Sequence, residues 1–97
     1  MTLKTFAPKG DATVPIAATT ASASAALDKY SSAVRVVNGG TAMAFIRFST
    51  GAATAVVTDM PIASGATETF TKGSADTVSA ITASGTAALY FTNGEGL

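Results

Sequence analysis

Apolar and polar positions switch quickly along this chain, in runs that suit short strands better than helices. The segment Ala33-Val34-Arg35-Val36-Val37 is followed by Asn38-Gly39-Gly40-Thr41 and then by Ala42-Met43-Ala44-Phe45-Ile46-Arg47-Phe48. Asn and Gly adopt positive φ at little cost, so this connection predicts a tight hairpin. Both strands carry apolar residues on both faces, which places them centrally in a sheet. A second hairpin is predicted from Thr77–Thr82, the break Ala83-Ser84-Gly85, and Thr86–Thr92. Between the two, Ala53–Val57 and Glu68–Lys72 read as shorter strands around the Met60-Pro61 connection. In the latter, Glu68 and Lys72 share a face with Phe70, so its solvent side stays open.

The stretch from Thr20 to Leu27 has helix propensity through its alanines. It also alternates Ala with Ser or Thr, which is strand period, and a helix here would have no apolar stripe beyond Ala. A strand is favoured. Turn signals recur at short, fairly regular intervals: Lys9-Gly10-Asp11, Asn38-Gly39-Gly40, Thr50-Gly51, Ser64-Gly65, Lys72-Gly73-Ser74, Ser84-Gly85 and Asn93-Gly94. Such punctuation between β-branched and aromatic segments predicts an all-β chain: a single small antiparallel β-sandwich, jelly-roll or Ig-like, of seven or eight short strands. A small closed barrel has the same strand grammar. Residues 13–97 are read as the sandwich and residues 1–12 as an N-terminal arm.

Composition narrows the chemistry. The 97 residues contain no His, Cys or Trp, only 12% are charged, and Ala, Thr, Ser and Gly supply more than half. Without His or Cys, the usual proton shuttle, thiol nucleophile and soft metal ligands are missing. No Gly-x-Ser-x-Gly elbow or phosphate-binding Gly-Lys-Ser/Thr loop occurs. The acids Asp11, Asp28, Asp59, Asp76, Glu68 and Glu95 are too scattered for a paired-carboxylate or calcium loop. The expectation is a chain that is not an enzyme and takes no metal or cofactor. Six basic residues balance six acidic ones, and the bases stand singly, so no nucleic-acid footprint is present. The start lacks the apolar core of a secretory signal, and no run approaches the roughly 18 apolar residues of a membrane span. The chain is expected to be made in the cytoplasm, soluble, and used without processing. Its Ala-rich core is thin, which makes docking or self-association a natural supplement to stability.

Four residues stand out as interface candidates. Leu3 and Phe6, beside Pro8 and two lysines, suit an arm that packs into a neighbouring subunit, against the plainer reading of a frayed terminus. Arg35 and Arg47 interrupt apolar strands. They are either outward-facing or structurally paired, or they anchor a neighbour's carboxylate through the planar guanidinium fork.

Three motifs in order carry a resemblance. Val34-Arg35-Val36-Val37-Asn38-Gly39-Gly40-Thr41 with Ala44-Phe45-Ile46-Arg47-Phe48 resembles a hairpin of small structural proteins of tailed bacteriophages. Asp59-Met60-Pro61-Ile62-Ala63-Ser64-Gly65 with Glu68-Thr69-Phe70, and the ending Ile81–Leu97 with its Gly85-Thr86, Tyr90 and Thr92-Asn93-Gly94-Glu95-Gly96, resemble two further segments of the same proteins. The likeness covers residues 31–97 and departs from the pattern at Ser49, where those proteins tend to carry Gly. It implies a virion component, best read as a capsid decoration or cement protein. Its partners would be the major capsid protein or other virion proteins and further copies of itself, with neither nucleic acid nor membrane. A neck or tail ring component is the alternative within assembly proteins. From another class, a carbohydrate-binding module would need an aromatic platform, for which the chain supplies only Tyr30 and Tyr90.

Overall fold

The computed structural model describes residues 6–95. Eight strands form: β1 (Ala7–Ala18), β2 (Ala23–Ala26), β3 (Ala33–Asn38), β4 (Ala44–Ser49), β5 (Met60–Ile62), β6 (Thr67–Thr71), β7 (Thr77–Thr82) and β8 (Ala87–Glu95). They make two four-stranded sheets, a first in the order β1-β8-β3-β6 and a second in the order β2-β7-β4-β5. Antiparallel pairs nest within one another: β1 with β8, β2 with β7, β3 with β6 and β4 with β5. Four nested pairs rolled into two facing sheets define the jelly-roll arrangement of a β-sandwich. The Ala/Ser alternation before Leu27 resolves as strand β2, not as helix.

The core lies between the sheets. From the first sheet come Ile16, Val34, Val36, Leu89 and Phe91, and from the second Ile46, Ile62 and Val78, all buried. Phe91 is the one aromatic fully enclosed; Phe48 and Phe70 pack at its margin with ring centroids 5.7 Å apart. The face left open around Phe70 is thereby settled. Its ring turns to the core, Glu68 is exposed on the rim, and Lys72 lies beyond the end of β6.

Two expectations from the pattern are corrected. Neither predicted hairpin exists as a paired hairpin. β3 pairs with β8 and β6, whereas β4 pairs with β7 and β5; β7 and β8 likewise belong to different sheets. The Asn-Gly and Ser-Gly connections are arches that carry the chain from one sheet across the core to the other. The same turn residues reverse a chain within a sheet or out of its plane, and the local pattern does not distinguish them. What closes the first arch is Asn38, fully buried, whose Nδ2 donates to the carbonyls of Ala42 (2.9 Å) and Ile62 (3.0 Å) while its Oδ1 accepts from the Gly40 N–H (3.0 Å). Gly40 lies so close to β8 that a Cβ there would sit 2.5 Å from Ala87 Cα. Among the described residues the only connection between neighbours in one sheet is β4–β5.

Second, Ala53–Val57 is not a strand. It is part of the long β4–β5 connection, laid as a strap on the outer side of the second sheet. Ser24 and Ser79, facing each other across β2 and β7, both donate to the Ala53 carbonyl (3.3 and 2.8 Å), and Ser22 Oγ accepts from the Ala55 N–H (2.9 Å). Those side-chain bonds satisfy backbone groups that a ladder would otherwise serve. They also explain why Ser79 and Ala55 are buried.

Strand β1 begins at Ala7, so the stretch read as an arm supplies the first residues of the sandwich. Ala7 and Pro8 pair with Glu95 and Gly94, and the regular ladder resumes only at Thr13 opposite Thr92. The irregular stretch between them contains Asp11 at φ 55°. Asn93, buried beneath it, donates to the Ala12 carbonyl (3.0 Å) and accepts from the Asp28 N–H (3.1 Å).

Candidate assembly surface

Side chains that alternate with the core positions of the first sheet make its outer face. One row across it reads Thr13, Thr92, Arg35, Thr69, and the next reads Pro15, Tyr90, Val37, Thr67. Ala17 and Ala88 continue it. Thr13 and Thr92 share a hydrogen bond of 2.8 Å. Arg35 is the sole formal charge in these rows, and Tyr90 is 46% exposed. These rows make a broad surface of short, branched or small side chains, in which Tyr90 is the one aromatic and Arg35 the one cation.

Phe6 and Arg35, far apart in sequence, are brought together here. The Arg35 guanidinium lies over the Phe6 ring at 4.9 Å from its centroid, a cation–π arrangement, and its Nε donates to Thr69 Oγ1 at 3.4 Å. The Phe6 ring rests on Gly94, where an added Cβ would meet Phe6 Cζ at 2.6 Å. Phe6 is thus engaged within its own chain, and Leu3 lies outside the described residues. Arg47 is on the opposite side of the molecule, on the outer face of the second sheet. There it forms an ion pair with Asp59 at 3.1 Å, and Asp59 also accepts from the Val56 N–H (2.8 Å). The guanidinium fastens the strap. Of the four interface candidates, therefore, two meet on one surface and a third acts within the fold on the other.

Polar groups gather at the end of the sandwich where β1 starts and β8 finishes. Asp28 accepts from the Lys9 ammonium, the Tyr30 N–H (2.9 Å) and the Ser31 hydroxyl (3.1 Å). Lys9 first, then the Tyr30 amide, hold its carboxyl down to about 2 from an ordinary 3.8. Asp76 is lowered as well, by the Gly51 N–H and the Thr77 hydroxyl. The amine of Lys72 is buried, which lowers its pKa, and it donates to the Ala75 carbonyl at 2.7 Å. Ser32 donates to Glu95 at 2.6 Å. Asp28 and Asp76 are held ionised by these donors, and the Lys72 amine points at a carbonyl and not at a serine hydroxyl. Among the described residues no three metal-ligating side chains converge. A shallow hollow of about 440 Å³ at the other end, lined by residues including Thr41, Met43, Phe45 and Ser84, contains no ionisable group. Among the described residues no helix is long and apolar enough to cross a membrane.

Comparison with protein-family models, with curated proteins and with solved structures finds no match to this chain.

The sequence reading named Arg35 but missed the surface around it. A signal was present: in Ala87–Thr92 the small and polar residues Ala88, Tyr90 and Thr92 alternate with Ala87, Leu89 and Phe91. Which strands lie beside β8, and so which rows these residues join, follows only from the nested pairing.

Proposed function

We propose that this chain is a non-enzymatic structural protein of a tailed-bacteriophage virion, a capsid decoration or cement protein that places the outer face of its first sheet against the shell. The observation that carries this reading is the face itself: four strands wide, built of Thr, Ala, Pro and Val, with a single charge and a half-exposed Tyr90 beside Arg35. Depletion of charge marks the centre of protein interfaces, and Tyr and Arg are the residues that most often anchor them. A neutral chain also meets little long-range repulsion as copies crowd onto a particle. The resemblance of residues 31–97 to phage structural proteins points the same way, and the fold alone does not choose among functions. The partner is the major capsid protein, with the neck or tail ring as the rival position in the virion.

The test is sedimentation of the purified protein with shells assembled from the major capsid protein encoded in the same genome. Saturable co-sedimentation at a fixed ratio to shell subunits is the expected result. Binding to assembled necks or tails but not to shells would move the protein to the ring. Binding to neither, together with specific capture on a glycan array, would turn the Tyr90 face into a carbohydrate platform.

A further inference from the structure

Each sheet ends in two edge strands, and three of the four edges are closed to a further strand. β1 carries Pro8 and Pro15 and is interrupted around Asp11. β5 has three residues with Pro61 at its centre. β2 has four residues, and Ser22 and Ser24 at its start are tied to the strap. Proline, shortness and cover are the usual means of blunting an edge.

β6 is different. Its five residues, Thr67-Glu68-Thr69-Phe70-Thr71, contain neither Pro nor Gly, and among the described residues its only neighbour is β3. The bonds that flank this ladder fix its phase: Lys72 N–H donates to the Ser32 carbonyl and Asn38 N–H to the Ala66 carbonyl, both at 2.9 Å. In an antiparallel strand the N–H and C=O of one residue point to the same side and alternate along the chain. Residues 66, 68, 70 and 72 therefore face β3, and the backbone groups of Thr67, Thr69 and Thr71 face outward with no strand among the described residues to receive them.

We infer that β6 pairs with β6 of a second copy, antiparallel and centred on Thr69, joining two first sheets into one of eight strands. Thr69 then faces Thr69 of the partner, and Thr67 faces Thr71 on either side, so every outward N–H and C=O of the strand has a counterpart. Thr–Thr pairs across strands are favourable on the outer face. Glu68 faces Phe70 of the other copy, so the two Glu68 carboxylates lie on a diagonal and are not opposed. The contact is isologous: it uses both β6 edges and stops at two. The blunted edges elsewhere keep the pair from growing into a filament. A five-residue seam buries less than the roughly 1,000 Å² of a stable interface, so the pair forms with rising concentration and not as an obligate dimer. This deepens the capsid reading by giving the protein two-fold self-contact. Its test uses the free protein, so failure of either leaves the other standing.

The Thr69 N–H faces away from β3, so Thr69→Pro removes no ladder bond within the chain while blocking the centre of the seam. Light scattering over a concentration series is expected to show the wild type rising from 9.5 kDa toward twice that mass. Thr69→Ala should follow it, and Thr69→Pro should stay at one chain mass with an unchanged circular dichroism spectrum. A wild type that stays monomeric throughout, or a folded Thr69→Pro that associates as the wild type does, overturns the pairing. Should Thr69→Pro not fold, Thr69→Cys decides, because the chain has no other cysteine. Oxidation should give a disulfide dimer at least tenfold faster than in the exposed-loop control Thr50→Cys, and equal rates would overturn the assignment.

Discussion

Asn38 and Asn93 are buried at opposite ends of the first sheet, on the adjacent strands β3 and β8, and each staples a connection that has no ladder of its own. Asn38 holds the β3–β4 arch through Ala42, Ile62 and Gly40, and Asn93 holds the irregular part of β1 to the β2–β3 loop through Ala12 and Asp28. Replacing either with Ala removes the partners of two or three backbone groups at a buried position. Each substitution is expected to cost about 3 kcal/mol, the loss of two or three buried hydrogen bonds. The check is the denaturant midpoint at unchanged slope; a loss below about 1 kcal/mol would mean that water takes over the staple.

Gly40 and Gly94 separate a global effect from a local one. A Cβ at Gly40 collides with backbone of β8, so Gly40→Ala is expected to lower stability by about 1–3 kcal/mol through forced displacement. A Cβ at Gly94 meets the Phe6 ring and the Ala7 carbonyl, at the very start of β1. Gly94→Ala should free residues 6–8 while the core holds. Hydrogen exchange would then rise at the Ala7 amide with little change at Val36 or Leu89.

The strap answers to Arg47 and Asp59 unequally. The Arg47 side chain is 41% exposed, so its ion pair contributes about 0–1 kcal/mol and Arg47→Ala should be mild. Asp59→Ala also strips the Val56 N–H of its acceptor. Limited proteolysis within residues 52–58 should accelerate more for Asp59→Ala than for Arg47→Ala.

Acid sensitivity has a defined window. Asp28 is held to about 2, below its ordinary 3.8, so its ionised form favours the folded chain. That contribution is complete above about pH 4 and disappears as the pH falls through 2. Unfolding midpoints measured from pH 5 to pH 2 should fall more steeply for the wild type than for Asp28→Asn. Parallel profiles would show that Lys9 and Asp28 do not act as a pair in solution.

On the proposed capsid face, Arg35→Glu and Tyr90→Ala should each weaken co-sedimentation with shells at least tenfold, while folding stability falls by only about 1 kcal/mol, the worth of the Phe6 contact or of a strand-propensity change. Arg47→Ala, on the opposite face, should bind as the wild type does. Loss of binding with Arg47→Ala alone would transfer the interface to the second sheet.

Fold class was legible because it depends on local rules: Gly-punctuated segments of Val, Ile, Phe and Thr make strands, and Ala/Ser alternation before Leu27 outweighed helix propensity. Pairing was not legible, because Asn38-Gly39-Gly40 bends the chain equally well within a sheet or between sheets. The strap was hidden for a related reason. Ala53–Val57 has strand-like composition, and only the serines at 22, 24 and 79, distant in sequence, turn it into a covering segment. Arg47 with Asp59 and Phe6 with Arg35 are likewise partners by topology alone. The sequence shows that Arg35 is out of place among valines, and the folded chain shows what surrounds it.

The insertion of β8 between β1 and β3 orders events during synthesis. Until β8 has left the ribosome, β1 has no neighbour in its sheet, and β3 can pair only with β6. The second sheet, complete once β7 has emerged, faces a half-built partner. The core closes when β8 slides into the gap, so the nascent chain exposes its apolar layer until that strand arrives, and this non-local closure is a slow kind of folding step. Removing β8 would not shorten the sandwich by one strand; it would leave the first sheet split down its middle.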